Sequence, residues 1–280
     1  SLLGHSSAVQ ACMIIPYPEN LTKYLVFVLD AGENNHFNGL SYNIVDMSSN
    51  NGLGSVITKN IRLVSPTKEA LTATYHRNQK DIWVVTVSEN NLSYYSYLLT
   101  KNGIQDPVIT SIVDNPSCGW PTLKISPNGK KLATINYCTP YGLPTNVRLF
   151  DFNNETGVLS NYMDIPFGRT EREQISALEF SPDNSKLYAG SFWLRQNSGR
   201  LAQYDLSEGT YQKIRDSYFE LNVSSNETFN HTGWGTLQLA PDGKIYMSSG
   251  YYNDYRPNMS AILNPNLTKD KCNFVLDYLE

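Results

Sequence analysis

The stretch that decides the fold is Leu123-Lys124-Ile125-Ser126-Pro127-Asn128-Gly129-Lys130-Lys131-Leu132, whose pattern returns from Leu178 and again from Leu237. Each copy has alternating apolar residues, a tight turn of the Pro-Asx-Gly type, and a second apolar run, which is typical of a β-hairpin. A hairpin that repeats cannot bury its apolar faces alone, so neighbouring copies must stack on one another. The chain is therefore predicted to be an all-β array, a β-propeller of four-stranded antiparallel blades.

The array extends beyond the three clear copies. A looser hairpin runs from Leu71 to Val85, and another runs from Met13 to Val28. A third and a fourth strand follow in most units, and no run of helical period is long enough to compete. Five blades are visible, and the complete ring could have six or seven. The predicted single β-propeller domain covers residues 1–280, with blades at about 8–64, 68–114, 118–167, 174–219 and 233–279.

Composition narrows the function classes. The net charge of −4 leaves no basic excess, so we expect no nucleic-acid partner. No apolar stretch approaches the about 18 residues of a membrane-spanning helix, so none is expected. The chain begins with Ser1 rather than Met, which favours a fragment or a processed product.

Cysteine spacing suggests a redox compartment. Counted outward from the turn at Asn128 and Gly129, Cys118 and Cys138 fall within one residue of facing each other across a hairpin. A facing pair can meet the about 4.4–6.8 Å between Cα atoms that a disulfide requires. The alternative is two buried free thiols. A bridge would indicate an oxidising, extracytoplasmic location.

Motifs along the whole chain resemble one family. They are Gly4-His5-Ser6-Ser7, the segment Met13 to Pro18, Leu40 to Met47 with Gly52-Leu53-Gly54, the Ser-Pro-Asx-Gly-Lys-like turns, and Asn264-Pro265-Asn266 to Phe274. In this order they resemble the secreted, WD40-like propeller module of Bacteroidota surface proteins, of the type IX secretion and gliding-motility type. The resemblance implies an extracellular or cell-surface location and further domains of a larger protein. It brings no established catalytic residues.

The sequence contains none of the common metal-binding or phosphate-binding motifs. The chain has no His-x-His, His-Glu-x-x-His or Cys-x-x-Cys sequence, no EF-hand loop and no phosphate-binding glycine pattern. No metal, cofactor or catalytic residue is therefore predicted. Asp151 and Asp205 occupy equivalent repeat positions near turns, where a structural role is favoured over acid–base catalysis.

The loops predict a binding face. In a propeller, the loops between second and third strands share one face with the connections between blades. Here those segments are long and aromatic, whereas the hairpin turns opposite are short. Long loops on a rigid scaffold commonly carry binding, and Tyr, Trp and Arg dominate binding hot spots. The loop Asn34-Asn35-His36-Phe37 belongs to this face, and its predicted ligand- or partner-binding residues are Trp120, Trp193, Arg195, His231, Trp234, Tyr252, Tyr255 and Arg256.

Two function classes remain open. The first is a non-catalytic secreted or cell-surface module that binds protein or glycan through the aromatic loops. The second is a propeller enzyme, either a lactonase-like hydrolase or a polysaccharide-active lyase or hydrolase. An enzyme needs several titratable groups that converge in one cleft. Its candidates are Arg169, Arg172, His231, Asp254 and Arg256.

Overall fold

A computed structural model describes residues 1–113, 122–136, 145–167, 174–192, 200–221, 236–248 and 258–279. Within these residues the chain forms five antiparallel β-sheets, the blades of a β-propeller, and this confirms the predicted fold class. The chain divides into two compact units, residues 1–125 with 151–161, and residues 126–150 with 162–280. The single domain with its blade boundaries stays a prediction.

The strands follow one another along each sheet in chain order. The first sheet contains β1 (Cys12–Pro16), β2 (Lys23–Leu29), β3 (Leu40–Asp46) and β4 (Ser55–Val64). The second contains β5 (Thr67–Tyr75), β6 (Ile82–Ser88), β7 (Ser93–Thr100), β8 (Gly103–Ile104) and β9 (Val108–Ser111). The third contains β10 (Leu123–Ile125), β11 (Lys131–Asn136), β12 (Asn146–Phe152) and β13 (Leu159–Pro166). The fourth contains β14 (Gln174–Phe180), β15 (Lys186–Phe192), β16 (Arg200–Asp205) and β17 (Phe219–Glu220). The fifth contains β18 (Leu237–Leu239), β19 (Ile245–Ser248), β20 (Met259–Ile262) and β21 (Phe274–Leu279).

Two sheets depart from the simple four-stranded pattern. In the second sheet both β8 and β9 pair with β7, which gives five strands. In the fourth, a short helix, α1 (Tyr211–Asp216), precedes β17, which has only two residues. Ile214 is the buried residue of α1 and packs against the core of the second unit. One buried residue in less than two turns leaves no helical period in the sequence.

The repeated turns are equivalent in their hydrogen bonds, with one difference in length. Ser126 and Ser181 each donate a backbone N–H to the carbonyl of the residue five positions later. Ala240 donates to Lys244, only four positions later. Because this turn is one residue shorter, Ile245 takes the fully buried position that Leu132 holds in the first copy. Counted from Leu237, the third copy is therefore displaced by one residue after the turn, relative to the copy that begins at Leu123.

Each unit has its own buried core. In the first unit, a cluster that includes Leu25, Phe27, Leu71 and Val84 joins the first two sheets. In the second unit, one cluster is built around Phe180 and another includes Tyr188 and buried Cys272. These clusters consist of the alternating apolar residues of the strands, as the period-two pattern predicts.

A tryptophan anchors the second sheet to the turn before β13. The Trp83 indole N–H donates to the Asn154 carbonyl at 2.9 Å, and its ring lies against Gly157. A Cβ on Gly157 would lie 2.6 Å from that ring, and Gly157 has φ +74°. Only glycine fits this position without displacing the ring.

The first strand of each sheet is an edge strand, and in β10 and β18 a side chain from elsewhere in the same unit accepts a free N–H group. The Thr72 hydroxyl on β5 accepts from the Ile125 N–H of β10 at 3.2 Å. Glu179 on β14 accepts from the Leu239 N–H of β18 at 3.0 Å. Thr72 and Glu179 hold the same position of the repeated phrase, directly after its first leucine. This position therefore joins one sheet to the next.

The aspartates that close the strand pairs support turns. Asp205 accepts from the Ser207 N–H at 3.0 Å and pairs with the Lys186 ammonium at 3.1 Å. Asp46 accepts from the N–H and hydroxyl of Ser48. These contacts agree with the structural role that the sequence favoured for Asp205.

We expect Thr72→Val to lower the free energy of unfolding by about 1–3 kcal/mol, because it leaves the buried Ile125 N–H without its acceptor while conserving volume. Chemical denaturation measures the change. Thr72→Ser is the matched control, since it keeps the hydroxyl and should lose less. If the serine variant lost more stability than the valine variant, the methyl group rather than the hydrogen bond would be the stabilising part.

Candidate binding face

All eight predicted binding residues lie outside the described residues. So do Arg169, Arg172 and Asp254 of the enzyme alternative, and the two cysteines of the predicted disulfide, Cys118 and Cys138. They stay predictions. Of the other two cysteines, Cys12 is exposed, Cys272 is buried, and both are free. The described part of the predicted face is the long loop that joins β2 to β3, residues 30–39, which we call the β2–β3 loop.

A buried aspartate fixes the shape of the β2–β3 loop. One carboxylate oxygen of Asp30 accepts from the Ala31 N–H at 3.0 Å and from the Asn34 side-chain amide at 2.9 Å. The other accepts from the Asn38 N–H at 2.9 Å. Burial opposes ionisation of Asp30, but these hydrogen bonds outweigh it, so the pKa of this carboxyl lies below its ordinary value. One side chain thus ties both ends of the loop together.

The end of the loop is fixed by a glycine that no other residue could replace without strain. Gly39 has φ +57°, and a Cβ there would lie 2.1 Å from the Val64 carbonyl oxygen. The Ser65 hydroxyl donates to the Phe37 carbonyl at 2.6 Å. The loop is therefore held against the connection between the first and second sheets.

His36 lies inside the loop, between two carboxylates. Its backbone is in the left-handed region at φ +52°, and its side chain is buried. Nε2 lies 3.4 Å from Glu69, and Nδ1 lies 3.5 Å from Glu89. Glu69 is itself buried and accepts from the N–H groups of Gly32 and Val9 at 2.9 Å and 2.8 Å. Residues from both of the first two sheets thus enclose the imidazole.

Burial limits what His36 can do. Both ring nitrogens are shielded from solvent and lack a hydrogen bond of good geometry. A general base must come within hydrogen-bond reach of the proton that it takes. In this conformation His36 can support the loop, but it offers no nitrogen to a ligand.

Phe37 on the β2–β3 loop and Arg62 on β4 are both exposed and lie side by side, and we call them the Phe37–Arg62 pair. The Phe37 side chain is 69% exposed. The Arg62 guanidinium carbon lies 5.3 Å from the centre of its ring, within the range of a cation–π interaction. Arg62 also donates from Nη2 to the Asn38 side-chain oxygen at 3.0 Å. An aromatic ring on a fixed loop and a cationic group on β4 are thereby presented together.

The sequence indicated only part of this arrangement. It placed Asn34 to Phe37 on the binding face but gave no signal for Glu69, Glu89 or Arg62. These three residues come from other strands and turns, and no local spacing connects them to the loop. A lone arginine near the end of a predicted outer strand is usually a solvated side chain, so Arg62 could not have been singled out.

No group of three or more His, Cys, Asp or Glu side chains in the described residues could hold a metal ion. In the same part of the chain, no helix has the length and hydrophobicity that crossing a bilayer requires.

Comparisons with known proteins show the fold alone. No protein-family model matches the chain, and no curated protein is similar in sequence. Among solved structures, the chain is similar to a puromycin hydrolase S511A mutant complexed with PGG, with 13% identity, a TM-score of 0.55, and 95% of this chain and 38% of that chain covered. A candidate 6-phosphogluconolactonase from Bacteroides uniformis gives 14% identity, a TM-score of 0.51, and coverage of 89% and 66%. Hydrazine synthase from Kuenenia stuttgartiensis gives 13%, 0.50, and coverage of 88% and 62%. The chain spans less than two thirds of each.

We expect Asp30→Asn to lower the melting temperature at pH 7, because the amide keeps only one acceptor oxygen; the cost should be about 1–3 kcal/mol. The folded-state pKa of Asp30 is depressed, so its contribution is present above the unfolded value and is lost as the pH falls through the folded value. The difference between wild type and variant should therefore shrink below about pH 4. Thermal unfolding from pH 7 to pH 2.5 measures it. A difference that stayed constant with pH would contradict a role for the ionised carboxylate.

Proposed function

We propose that this protein is a non-catalytic binding module that engages protein or glycan through the face that carries its long aromatic loops, which we call the loop face. The observation that carries the proposal is the Phe37–Arg62 pair: an exposed aromatic ring, on a loop fixed by Asp30 and Gly39, with the guanidinium of a β4 arginine over it. Fixed loops bind with a smaller loss of conformational entropy than mobile ones. The aromatic and arginine residues of the other long loops, from Trp120 to Arg256, would extend the same surface.

The proposal includes a location for the protein and a larger protein of which it is part. The order of sequence motifs favours a secreted or cell-surface propeller of the Bacteroidota type, associated with type IX secretion or gliding motility and joined to other domains. A disulfide between Cys118 and Cys138 would agree with that location. We propose no cofactor, no nucleic-acid partner and no membrane span.

The aromatic side chains proposed for the binding face supply its test. We expect Trp193→Ala with Tyr252→Ala to abolish binding of a partner found by glycan-array or surface-protein screening, and Phe37→Ala to weaken it about tenfold, since the proposal assigns each of them to the contact surface rather than to the core. Melting temperatures should stay nearly unchanged. The control is Tyr75→Ala, an aromatic of comparable exposure at the opposite end of β5 from Glu69. An unfolded double variant would show that those aromatics are core residues, and unchanged binding by a folded one would show that the face is wrong.

A propeller enzyme is the second candidate, and the His36 site is the specific observation that favours it. A strained histidine between two carboxylates, one of them anchored by backbone N–H groups, resembles the oriented base of a hydrolase. Against it stands the burial of both ring nitrogens.

We therefore expect no turnover of aldonolactones or polysaccharides by the wild-type chain, and no change on His36→Asn. Product release is measured by lactone hydrolysis and by reducing-end assays. The binding proposal would give way to the enzyme under one result. The wild-type chain would have to turn over a substrate, His36→Asn and Glu69→Gln would have to remove that activity, and the control Arg77→Gln would have to leave it unchanged.

A further inference from the structure

Arg62 differs from the other arginines in the described residues in having no carboxylate partner. Arg77, Arg148, Arg200 and Arg215 each pair with a carboxylate, at N–O distances of 2.6, 2.6, 3.2 and 2.9 Å. Arg62 instead donates one N–H to the neutral side chain of Asn38. Its charge is therefore not matched by a carboxylate of the described chain.

The position of Arg62 is nevertheless fixed. Asn38, which accepts from its Nη2, has its own N–H held by Asp30. The ring of Phe37 covers one side of the guanidinium, and the Phe37 carbonyl accepts from Ser65. A cation held in this way loses little side-chain entropy when it binds an anion, in contrast to a mobile surface arginine.

The remaining donors of Arg62 suit a carboxylate. A guanidinium has five N–H groups in one plane, and its fork matches the two oxygens of a carboxylate. Nη2 uses one of its two N–H groups for Asn38, so the fork formed by its other N–H and an adjacent nitrogen has no partner in the described residues. The ligand chemistry is accordingly anionic.

The surroundings of the pair define the rest of the ligand. Phe37 stands out from the surface, and the exposed amide of Asn35 belongs to the same loop two positions earlier, whereas the Asn34 amide donates to Asp30. A protruding ring on a loop that also carries an exposed amide suits a molecule with a flat C–H face and hydroxyl groups, which is a pyranose sugar. A peptide anchor would instead require a well-packed, desolvated pocket. The Arg62 donors, which suit a carboxylate, and the Phe37 ring, which suits the face of a sugar, therefore lie side by side.

We propose that the Phe37–Arg62 pair is a subsite for the uronic-acid residues of an acidic glycan. The sugar ring stacks on Phe37 while its carboxylate accepts from the free edge of Arg62. This inference rests on the proposed binding function and specifies its ligand class.

Binding of tetragalacturonate to the full chain, measured by calorimetry in about 50 mM salt, is the test. We expect Arg62→Gln to weaken binding about tenfold or more and Arg62→Lys to restore it only in part, because an ammonium lacks the planar fork. Phe37→Ala should weaken it about tenfold. The control Arg77→Gln removes another exposed arginine, which pairs with Glu155 at the hairpin-turn end of the second sheet, and should leave binding unchanged. Each variant must keep the wild-type melting temperature.

The ligand controls separate this inference from the proposed function. A neutral galactose tetramer and a tetraglutamate peptide should each bind at least about tenfold more weakly than the uronate. Equal binding of the neutral tetramer, or uronate binding that Arg62→Gln leaves intact, would overturn the subsite while leaving a glycan-binding face. Preferred binding of the peptide would replace the glycan with an acidic protein partner. If the wild-type chain did not bind tetragalacturonate, only this inference would be overturned. The proposed binding function would not be affected, because the Trp193, Tyr252 and Phe37 variants test it separately with the partner found by screening.

Discussion

The structure depends on how the edge strands of the sheets satisfy their backbone. A first strand has neighbours on one side only, so its other N–H groups would be left without acceptors when sheets stack. Thr72 and Glu179 supply such acceptors from the first strand of the preceding sheet. The side-chain oxygen of Gln10 accepts from two more, the N–H groups of Leu71 and Leu123. Apolar burial drives the sheets together, but these hydrogen bonds fix which strands meet and in which register.

The same interaction shapes the loop face. Asp30 and Glu69 are buried carboxylates that accept from backbone N–H groups, as Glu179 of β14 does from the Leu239 N–H of β18. Because Glu69 belongs to β5 and Gly32 to the β2–β3 loop, the second sheet holds a loop of the first. The hairpin turns need no such support, since Pro, Asx and Gly define them locally. Rigidity at the loop face therefore comes from packing between sheets.

The binding proposal rests on the contrast between His36 and Phe37. These residues are adjacent in the chain, yet the imidazole is enclosed while the phenyl ring is exposed. A general base must come within reach of the proton that it takes, and an enclosed imidazole does not. The similar solved structures include several enzymes, but at 13–14% identity they carry only the fold. Function must therefore be argued from the side chains of the loop face.

The sequence by itself determined the class of fold, because strand period and turn chemistry are local properties. The phrase from Leu123 to Leu132 predicted the sheets and their hairpins, although the shorter turn at Ala240 shifted the last copy by one residue. Tertiary structure alone decided that Glu69, Glu89 and Arg62 meet the β2–β3 loop, since each lies 24 or more residues along the chain from the loop residues that it contacts. It also decided which loop residue is buried and which is exposed. Both depend on contacts between sheets, and no local pattern of residues records such contacts.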